Sequence, residues 1–188
     1  MAKLNVVVIE GTTRERRESM RAASLVAEVG RGFAELEIVL VDPMEFEFHG
    51  DGNDPEGKNA KYTAITEKAD AFFIVVPEYN HSFPGSLKRM LDSELANYIH
   101  KPVAFAGVSN GGWGGVRAIE SLVNAVREMG LAATFTDVHF PRVQDMFDEQ
   151  GALKPEFAQQ TERVQRTYRE LIWMAKTLKW GRDNLSRA

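Results

Sequence analysis

The sequence predicts an α/β protein in which a parallel sheet of five strands lies between two layers of helices. Five short apolar runs rich in β-branched residues alternate with longer stretches that carry apolar residues at helical spacing. Strand–helix–strand units of this kind are right-handed crossovers, which make the strands parallel and place helices on both faces of the sheet. The 188 residues contain no internal repeat or linker, so we expect one domain over residues 1–188.

The first half of the chain starts this alternation. Residues 4–9 form a continuous β-branched run, which is typical of a strand buried on both faces. A helix is predicted over residues 19–33, and the second strand over residues 36–42. Residues 43–60 are rich in Gly, Asp, Pro and Asn and predict a long loop, followed by a short helix over residues 62–69.

The second half continues the same pattern. The third, fourth and fifth strands are predicted at residues 70–76, 102–109 and 131–138. Helices are predicted at residues 84–99, 116–129 and 155–180, and Pro84 suits the first turn of its helix.

The composition excludes several classes of function. The net charge is −4 and there is no basic stripe, which argues against nucleic-acid partners. The absence of cysteine removes disulfides, iron–sulfur ligation and thiol nucleophiles. The four histidines show no ligand spacing, so no metal site is predicted. The N-terminal apolar run is too short for a signal peptide or a membrane span, and we expect a cytoplasmic protein.

Three polar or glycine-rich loops follow the first, third and fourth predicted strands. They occupy residues 11–19, 77–85 and 109–115. Open α/β sheets bind ligands outside the carboxyl ends of their strands, where the strand order reverses. We therefore expect these loops to meet at one crevice.

The first of these loops, GTTRERRES, places polar groups at the start of a helix. Thr12, Thr13 and Ser19 supply hydroxyls, and Arg14 supplies a guanidinium that can hold two phosphate oxygens. The glycine pattern of dinucleotide sites is missing, so a single phosphate fits better.

A simpler interpretation of the first loop remains open. Thr12 or Ser19 can cap the helix, with the arginines in solvent. Arg16 and Arg17 are interpreted as surface charges, partly offset by the neighbouring glutamates.

The second loop, PEYNHSFPGSLKRMLD, presents an aromatic ring where a strand has just ended. Tyr79 can lie flat on a planar ligand, and Glu78 and Asn80 can address its polar edge. Alternatively, the segment is a Pro-bounded turn in which Tyr79 and Phe83 only pack. His81 can contact a ligand or a neighbouring subunit, or be a plain surface residue.

The third loop, SNGGWGGVR, carries four glycines, which allow close backbone approach. Trp113 lies among them and can cover a ligand or a partner subunit. The alternative is a glycine-rich turn with a partly exposed tryptophan.

Together, the segments GTTRERRES, PEYNHSFPGSLKRMLD and GVSNGGWGGVRAIESL resemble the NADPH-dependent FMN reductase family. These are flavodoxin-like flavoproteins that include quinone, azo-dye and chromate reductases. The resemblance spans roughly residues 4–138, and the middle segment is the most specific. The first segment departs mildly, with threonines where serine is frequent and with an extra arginine pair. The resemblance implies a flavodoxin-like three-layer sandwich with strand order 2-1-3-4-5.

The resemblance also implies which residues hold FMN. The phosphate would be held by Thr12, Thr13, Arg14 and Ser19. The isoalloxazine would be held by Pro77, Glu78, Tyr79 and Asn80. The pyrimidine side of the ring would be flanked by Ser109, Asn110, Gly111 and Gly112. The flavin carries the redox chemistry, so no catalytic side chain is predicted, and Tyr79 positions the ring.

The implied function is an oxidoreductase that takes hydride from NADPH or NADH and passes electrons to a small acceptor by a ping-pong mechanism. The acceptor can be a quinone, a free flavin, an azo compound or a metal oxyanion. A homodimer or homotetramer is also implied, supported in the sequence by Trp113, Phe83 and the apolar residues of 87–95. The alternative is a non-catalytic FMN-binding electron carrier or a regulatory flavoprotein. The mild net charge of −4 argues against a carrier.

Overall fold

The computed structural model describes residues 3–186, in which six parallel strands form one sheet between two helical layers. The strands are β1 (Leu4–Glu10), β2 (Leu36–Val41), β3 (Ala71–Pro77), β4 (Pro102–Val108), β5 (Ala132–Ala133) and β6 (Val138–Phe140). The helices are α1 (Ser19–Arg31), α2 (Ala60–Lys68), α3 (Gly85–Asp92), α4 (Val116–Glu128), α5 (Val143–Met146) and α6 (Gln159–Asn184).

The hydrogen-bonded order of the sheet is β2-β1-β3-β4-β5, and β6 pairs with the carboxyl-terminal half of β4. Each pair is parallel. The predicted fold class and strand order are therefore confirmed, with one short strand more than expected.

The central strands have a core on each face because their apolar residues run without interruption. Phe73 and Val75 of β3 pack on the side of α1 and α6. Phe72 and Ile74 pack on the opposite side, which α2, α3 and α4 cover. Burial on both faces fixes the register of β3, because a slip of one residue would exchange the two sets.

The long helix α6 is fastened to α1 across the first of these cores. The hydroxyl of Tyr168 donates to the carbonyl oxygen of Val26 at 3.0 Å, and its ring centroid lies 5.1 Å from that of Phe73. Gly30 of α1 lies directly against the Tyr168 side chain, and a Cβ at this position would lie 2.5 Å from the Tyr168 hydroxyl oxygen. This contact fixes α1, whose first residue is Ser19.

The predicted fifth strand over residues 131–138 is interrupted, which corrects its extent. After Thr134 N, which still donates to the Val103 carbonyl at 2.9 Å, the backbone turns away from β4. The N–H groups of Phe135 and Thr136 donate to the two carboxylate oxygens of Glu170 on α6, at 2.5 and 3.1 Å. The Glu170 side chain thus takes the place of β4 as the hydrogen-bond partner of Phe135 and Thr136, and β5 and β6 are separate strands.

Helix boundaries differ from the prediction where side chains intervene. The Asn59 side chain accepts from the N–H groups of Lys61 and Tyr62, so α2 begins at Ala60. Helix α3 ends at Asp92 and not at residue 99, because the Ser93 hydroxyl bonds the carbonyl of Met90 at 2.7 Å. Two 3₁₀ turns lie within the predicted loop 43–60, and α5 was not predicted.

Within residues 3–186, no helix combines the length and the hydropathy that crossing a bilayer requires.

Candidate functional site

The loops after β1, β3 and β4 line one crevice at the carboxyl edge of the sheet, as the topology predicts. The predicted residues in its lining are Arg14, Ser19, Pro77, Glu78, Tyr79, Ser109 and Asn110. Arg16, Arg17, Glu18, Val108 and Val143 complete the lining.

The remaining predicted residues lie outside this lining. Thr12 is buried beneath it, and its hydroxyl lies 3.0 Å from the Tyr79 hydroxyl. Thr13, Asn80, Gly111 and Gly112 are exposed. The structure therefore brings the first and second loops into direct contact through Thr12 and Tyr79.

A buried carboxylate that sequence reasoning missed organises the first loop. Glu10 ends β1 and is fully buried. Its Oε2 accepts from the Thr12 N–H at 2.8 Å and lies 3.3 Å from Nε of Arg17, and its Oε1 accepts from the Ser19 hydroxyl.

Burial raises the pKa of Glu10 from 4.5 to about 7, although the bonds from Ser19 and Thr12 and the charge of Arg17 act in the opposite direction. The sequence did contain a signal. An acidic residue that closes the apolar run VVVIE has to find hydrogen-bond donors when the strand is buried.

Arg17 corrects the interpretation of the arginine pair as surface charges. Its side chain is only 12% exposed and pairs with Glu10 and with Asp42, just after β2. Arg16 is exposed, has a positive φ of 53° and borders the crevice. Glu18 pairs with Arg21 at 3.3 Å.

The capping interpretation of the first loop is wrong. The residue before α1 is Glu18, and no side chain caps the helix there. The Thr12 hydroxyl accepts from the Arg14 N–H at 3.2 Å, and the Ser19 hydroxyl donates to Glu10. These hydroxyls hold the loop itself.

The second loop holds Tyr79 by a two-residue turn. The N–H of Tyr79 donates to the Ser82 carbonyl at 2.8 Å, and the N–H of Ser82 donates back at 3.0 Å. The intervening Asn80 and His81 both have positive φ, 50° and 64°, as this tight turn requires. The Glu78 N–H donates to the Val108 carbonyl at 2.9 Å and ties the loop to β4.

An ion pair and a cation–π contact connect the second loop with the third. Oε1 of Glu78 lies 3.1 Å from Nη1 of Arg117, whose guanidinium carbon lies 5.0 Å from the ring centroid of Trp113. Oε2 of Glu78 is buried and has no hydrogen-bond partner among the residues described. Such an oxygen is a ready acceptor for an N–H group of a ligand. The role of Arg117 was not predicted, because its partner Glu78 lies in another loop, 39 residues earlier in the chain.

The third loop is held close to β4 by its glycines and one serine. The Ser109 hydroxyl accepts from the Gly114 N–H at 2.9 Å and donates to the Gly111 carbonyl at 2.9 Å. Gly115 has a φ of 80°, and a Cβ there would lie 2.3 Å from the nitrogen of Val108. Glycine is required at this position, both for the conformation and for the close approach.

The residues that line the crevice offer two kinds of chemistry. The guanidinium groups of Arg14 and Arg16 and the hydroxyl of Ser19 suit an anion such as one phosphate. The ring of Tyr79 and the unpartnered oxygen of Glu78 suit a planar ligand with an N–H edge. Within the described residues, no group of three or more His, Asp or Glu side chains is placed to hold a metal ion. This donor set fits FMN.

A family model described as NADPH-dependent FMN reductase matches residues 4–145, which include all three loops. The chain belongs to this family. Membership places the protein among the flavin-dependent oxidoreductases, as the three loop segments predicted.

Relatives in sequence carry related descriptions. An NADPH azoreductase from Bacillus sp. (strain OY1-2) is 30% identical over 121 residues, which are 63% of this chain and 66% of that protein. The matched part is thus just under two thirds of the azoreductase. A quinone reductase from Pseudomonas putida is 23% identical over 156 residues, 79% of this chain and 84% of that protein.

Solved structures share the fold. The flavoenzyme NAD(P)H:(acceptor) oxidoreductase FerB from Paracoccus denitrificans superposes with a TM-score of 0.73 at 20% identity, covering 92% of this chain and 98% of that one. A flavodoxin from the domain Archaea superposes with a TM-score of 0.57 at 14% identity, covering 94% and 99%. The fold of this FMN reductase family member is therefore flavodoxin-like.

Proposed function

We propose that the protein holds FMN in the crevice, accepts hydride from NADPH or NADH, and passes electrons to a small acceptor by a ping-pong mechanism. The acceptor is a quinone, a free flavin, an azo compound or a metal oxyanion. The observation that carries this proposal is the meeting, in one crevice, of arginines suited to an anion, the aromatic ring of Tyr79 and the unpartnered oxygen of Glu78. Bound FMN supplies the redox chemistry, so the side chains have to bind, orient and exclude water.

The first loop would hold the phosphate. Arg14 and Ser19 line the crevice, and a charged hydrogen bond from a guanidinium is stronger than a neutral one. Thr12 would act from beneath, because its hydroxyl positions both the Arg14 backbone and the Tyr79 hydroxyl. Thr13 is exposed, and its part in phosphate binding rests on the family resemblance.

The second and third loops would hold the ring. Tyr79 would position it, Glu78 would accept a ring N–H, and Pro77 would form the floor where β3 ends. Ser109 and Asn110 border the same space from the third loop. The parts of Asn80, Gly111 and Gly112 rest on the resemblance, since they are exposed beside the crevice.

A ping-pong mechanism is supported by the single crevice, which donor and acceptor would have to occupy in turn. The relatives named azoreductase and quinone reductase support a small organic acceptor. We also propose self-association as a homodimer or homotetramer, and a cytoplasmic location.

The decisive experiment is spectroscopic and kinetic. The purified protein should show oxidised-flavin absorption, and heating should release a flavin identified as FMN by mass. Mixing with NADPH in a stopped-flow instrument should bleach the flavin within seconds, and adding a quinone should restore it.

Two results would contradict the proposal. A protein that binds no flavin under any condition would remove its basis. A bound flavin that stays oxidised with both NADPH and NADH would favour an electron carrier, and lack of turnover with each acceptor class would favour a regulatory flavoprotein.

A further inference from the structure

The carboxylate of Glu10 accepts hydrogen bonds from the Thr12 N–H and from the hydroxyl of Ser19, and Ser19 is one of the residues that line the crevice. Nε of Arg17 lies 3.3 Å from Oε2 of Glu10 as an ion pair without a hydrogen bond. Ser19 also lines the crevice, so the same hydroxyl is available to a ligand on one side and to Glu10 on the other.

We propose that Glu10 competes from inside the protein for the phosphate-binding donors, so that FMN binding is coupled to proton uptake by this carboxyl group. The proposal rests on the proposed function, since it needs the phosphate of FMN at the first loop. It concerns a residue that does not reach the crevice surface and acts through Thr12 and Ser19 as a positioning residue.

The physical reason is the charge of the ligand. A phosphomonoester carries about −1.5 to −2 charges at neutral pH. An ionised carboxylate directly behind the cradle repels it and also uses up hydrogen-bond donors. A neutral carboxyl group removes the repulsion, and it can donate its own proton while its other oxygen still accepts.

The groups that face Glu10 allow it to change charge near neutrality. Arg17 from the same loop favours the ionised form and Asp42, just after β2, disfavours it. Nη2 of Arg17 donates to Asp42. The positive charge of Arg17 is therefore divided between Asp42 and Glu10. From the loop after β3, the Tyr79 hydroxyl contacts the hydroxyl of Thr12, and the N–H of Thr12 donates to Glu10.

The other two carboxylates that line the crevice each have an arginine partner of their own. Glu78 pairs with Arg117, and Glu18 pairs with Arg21. Burial is the largest influence on Glu10 and raises its pKa to about 7. Both protonation states are therefore accessible under ordinary conditions.

Glu10 predicts that FMN binding weakens as the pH rises, and the ionisation of FMN itself cannot cause this. The second pKa of a phosphomonoester is about 6, so rising pH converts FMN to its dianion and favours binding to cationic donors. Glu10 acts in the opposite direction, because ionisation above pH 7 weakens binding. If only the neutral carboxyl is compatible with the phosphate, the dissociation constant of FMN rises roughly fivefold from pH 7 to pH 8 and approaches a tenfold rise per pH unit above that.

The test is a fluorescence titration of the flavin-free full chain with FMN and with riboflavin, which lacks the phosphate, between pH 7.0 and 8.5. For the wild type, we expect roughly fivefold weaker FMN binding at pH 8 than at pH 7, and a slope approaching tenfold per pH unit above pH 8. For Glu10→Gln, we expect FMN affinity to vary by no more than about twofold over this range. Riboflavin affinity should be flat in both proteins. The matched control is Glu15→Gln, which removes a charge from an exposed residue of the same loop and should keep the wild-type slope.

Calorimetry in two buffers of different ionisation enthalpy provides a second readout that needs no variant. At pH 8, the wild type should take up close to one proton per FMN bound and none per riboflavin, and Glu10→Gln should take up none. Circular dichroism checks that the variant is folded, and if it is not, the wild-type calorimetry decides.

Equal slopes in the wild type and Glu10→Gln, or no proton uptake by the wild type, would overturn this inference while FMN binding stands. Failure of FMN to bind at any pH would instead overturn the proposed function.

Discussion

At the scale of single residues, the crevice depends on a few charged side chains that the fold holds at the carboxyl edge of the sheet. Arg14 and Arg17 both line the crevice from the first loop, but Arg17 is also paired with Glu10 and Asp42. Two arginines of the same loop therefore have different partners, and the difference is set by the acidic residues that follow or end β1 and β2 behind the loop.

Arg14→Ala should weaken FMN binding without changing riboflavin binding. A hydrogen bond to a charged group contributes about 1.5–3 kcal/mol, which corresponds to roughly 10- to 100-fold in affinity. Equilibrium dialysis with both flavins measures the difference. Arg169→Ala removes an exposed arginine of α6 and should leave both affinities unchanged. An equal loss for FMN and riboflavin would place Arg14 away from the phosphate.

Glu10 should make the flavin-free protein less stable as pH rises. Its pKa is raised from 4.5 to about 7 in the folded state, so the native state binds the proton more tightly than the unfolded chain does. Its contribution is fully present below pH 4.5 and is lost as the pH rises through 7, by an amount on the order of 3 kcal/mol.

Urea denaturation of the wild type and Glu10→Gln at pH 5 and pH 8 isolates this contribution from those of other acids. The free energy of unfolding should fall more in the wild type than in the variant over this interval. An identical fall in both proteins would show that Glu10 does not titrate in this range.

At the scale of elements, the third loop shows how backbone geometry supports the site. Gly115→Ala would force a Cβ to within 2.3 Å of the Val108 nitrogen at a φ of 80°. We expect a loss of about 2–4 kcal/mol in the free energy of unfolding, because strain and overpacking add. Gly85→Ala is the control, since Gly85 is exposed at the start of α3 and a Cβ there meets nothing within 4 Å. Comparable stability of the two variants would contradict this account.

Elements governed by local pattern were predicted, and those governed by distant side chains were not. The continuous apolar runs gave β1, β3 and β4 nearly to the residue, because burial on both faces leaves a clear pattern. The break between β5 and β6 depends on Glu170, which lies 35 residues beyond Phe135 in the chain. A short sequence window around Phe135 does not include Glu170, so the break could not be predicted from it.

The candidate site divides in the same way. Seven of the twelve predicted residues line the crevice, since loops after parallel strands necessarily meet at one edge. Glu10 and Arg117 were missed because the role of each depends on an ion-pair partner in another part of the fold.

At the scale of the whole molecule, the apolar surface is the basis for the proposed self-association. The support expected from residues 87–95 is weaker than predicted, because Leu87, Met90 and Leu91 are buried in the core. Large exposed side chains lie elsewhere, including Trp113 at 65% exposure and Phe135 at 91%.

We expect sedimentation velocity to give a mass of two or four times 21.1 kDa at micromolar concentration. Phe135→Ser should shift the distribution toward the monomer if this surface lies in the contact, and Trp113→Ser should do so if the third loop does. A monomer at every concentration tested would refute the proposed assembly.

The fastening of α6 to α1 has a consequence for how flavin loss should be understood. The family match ends at residue 145, yet Tyr168 grips the helix that begins with Ser19. If the first loop holds FMN as proposed, a substitution in this C-terminal region should weaken FMN binding without touching any residue of the crevice. Loss of the yellow flavin colour during purification would then be expected from damage to the contact between α6 and α1 as well as from damage to the crevice.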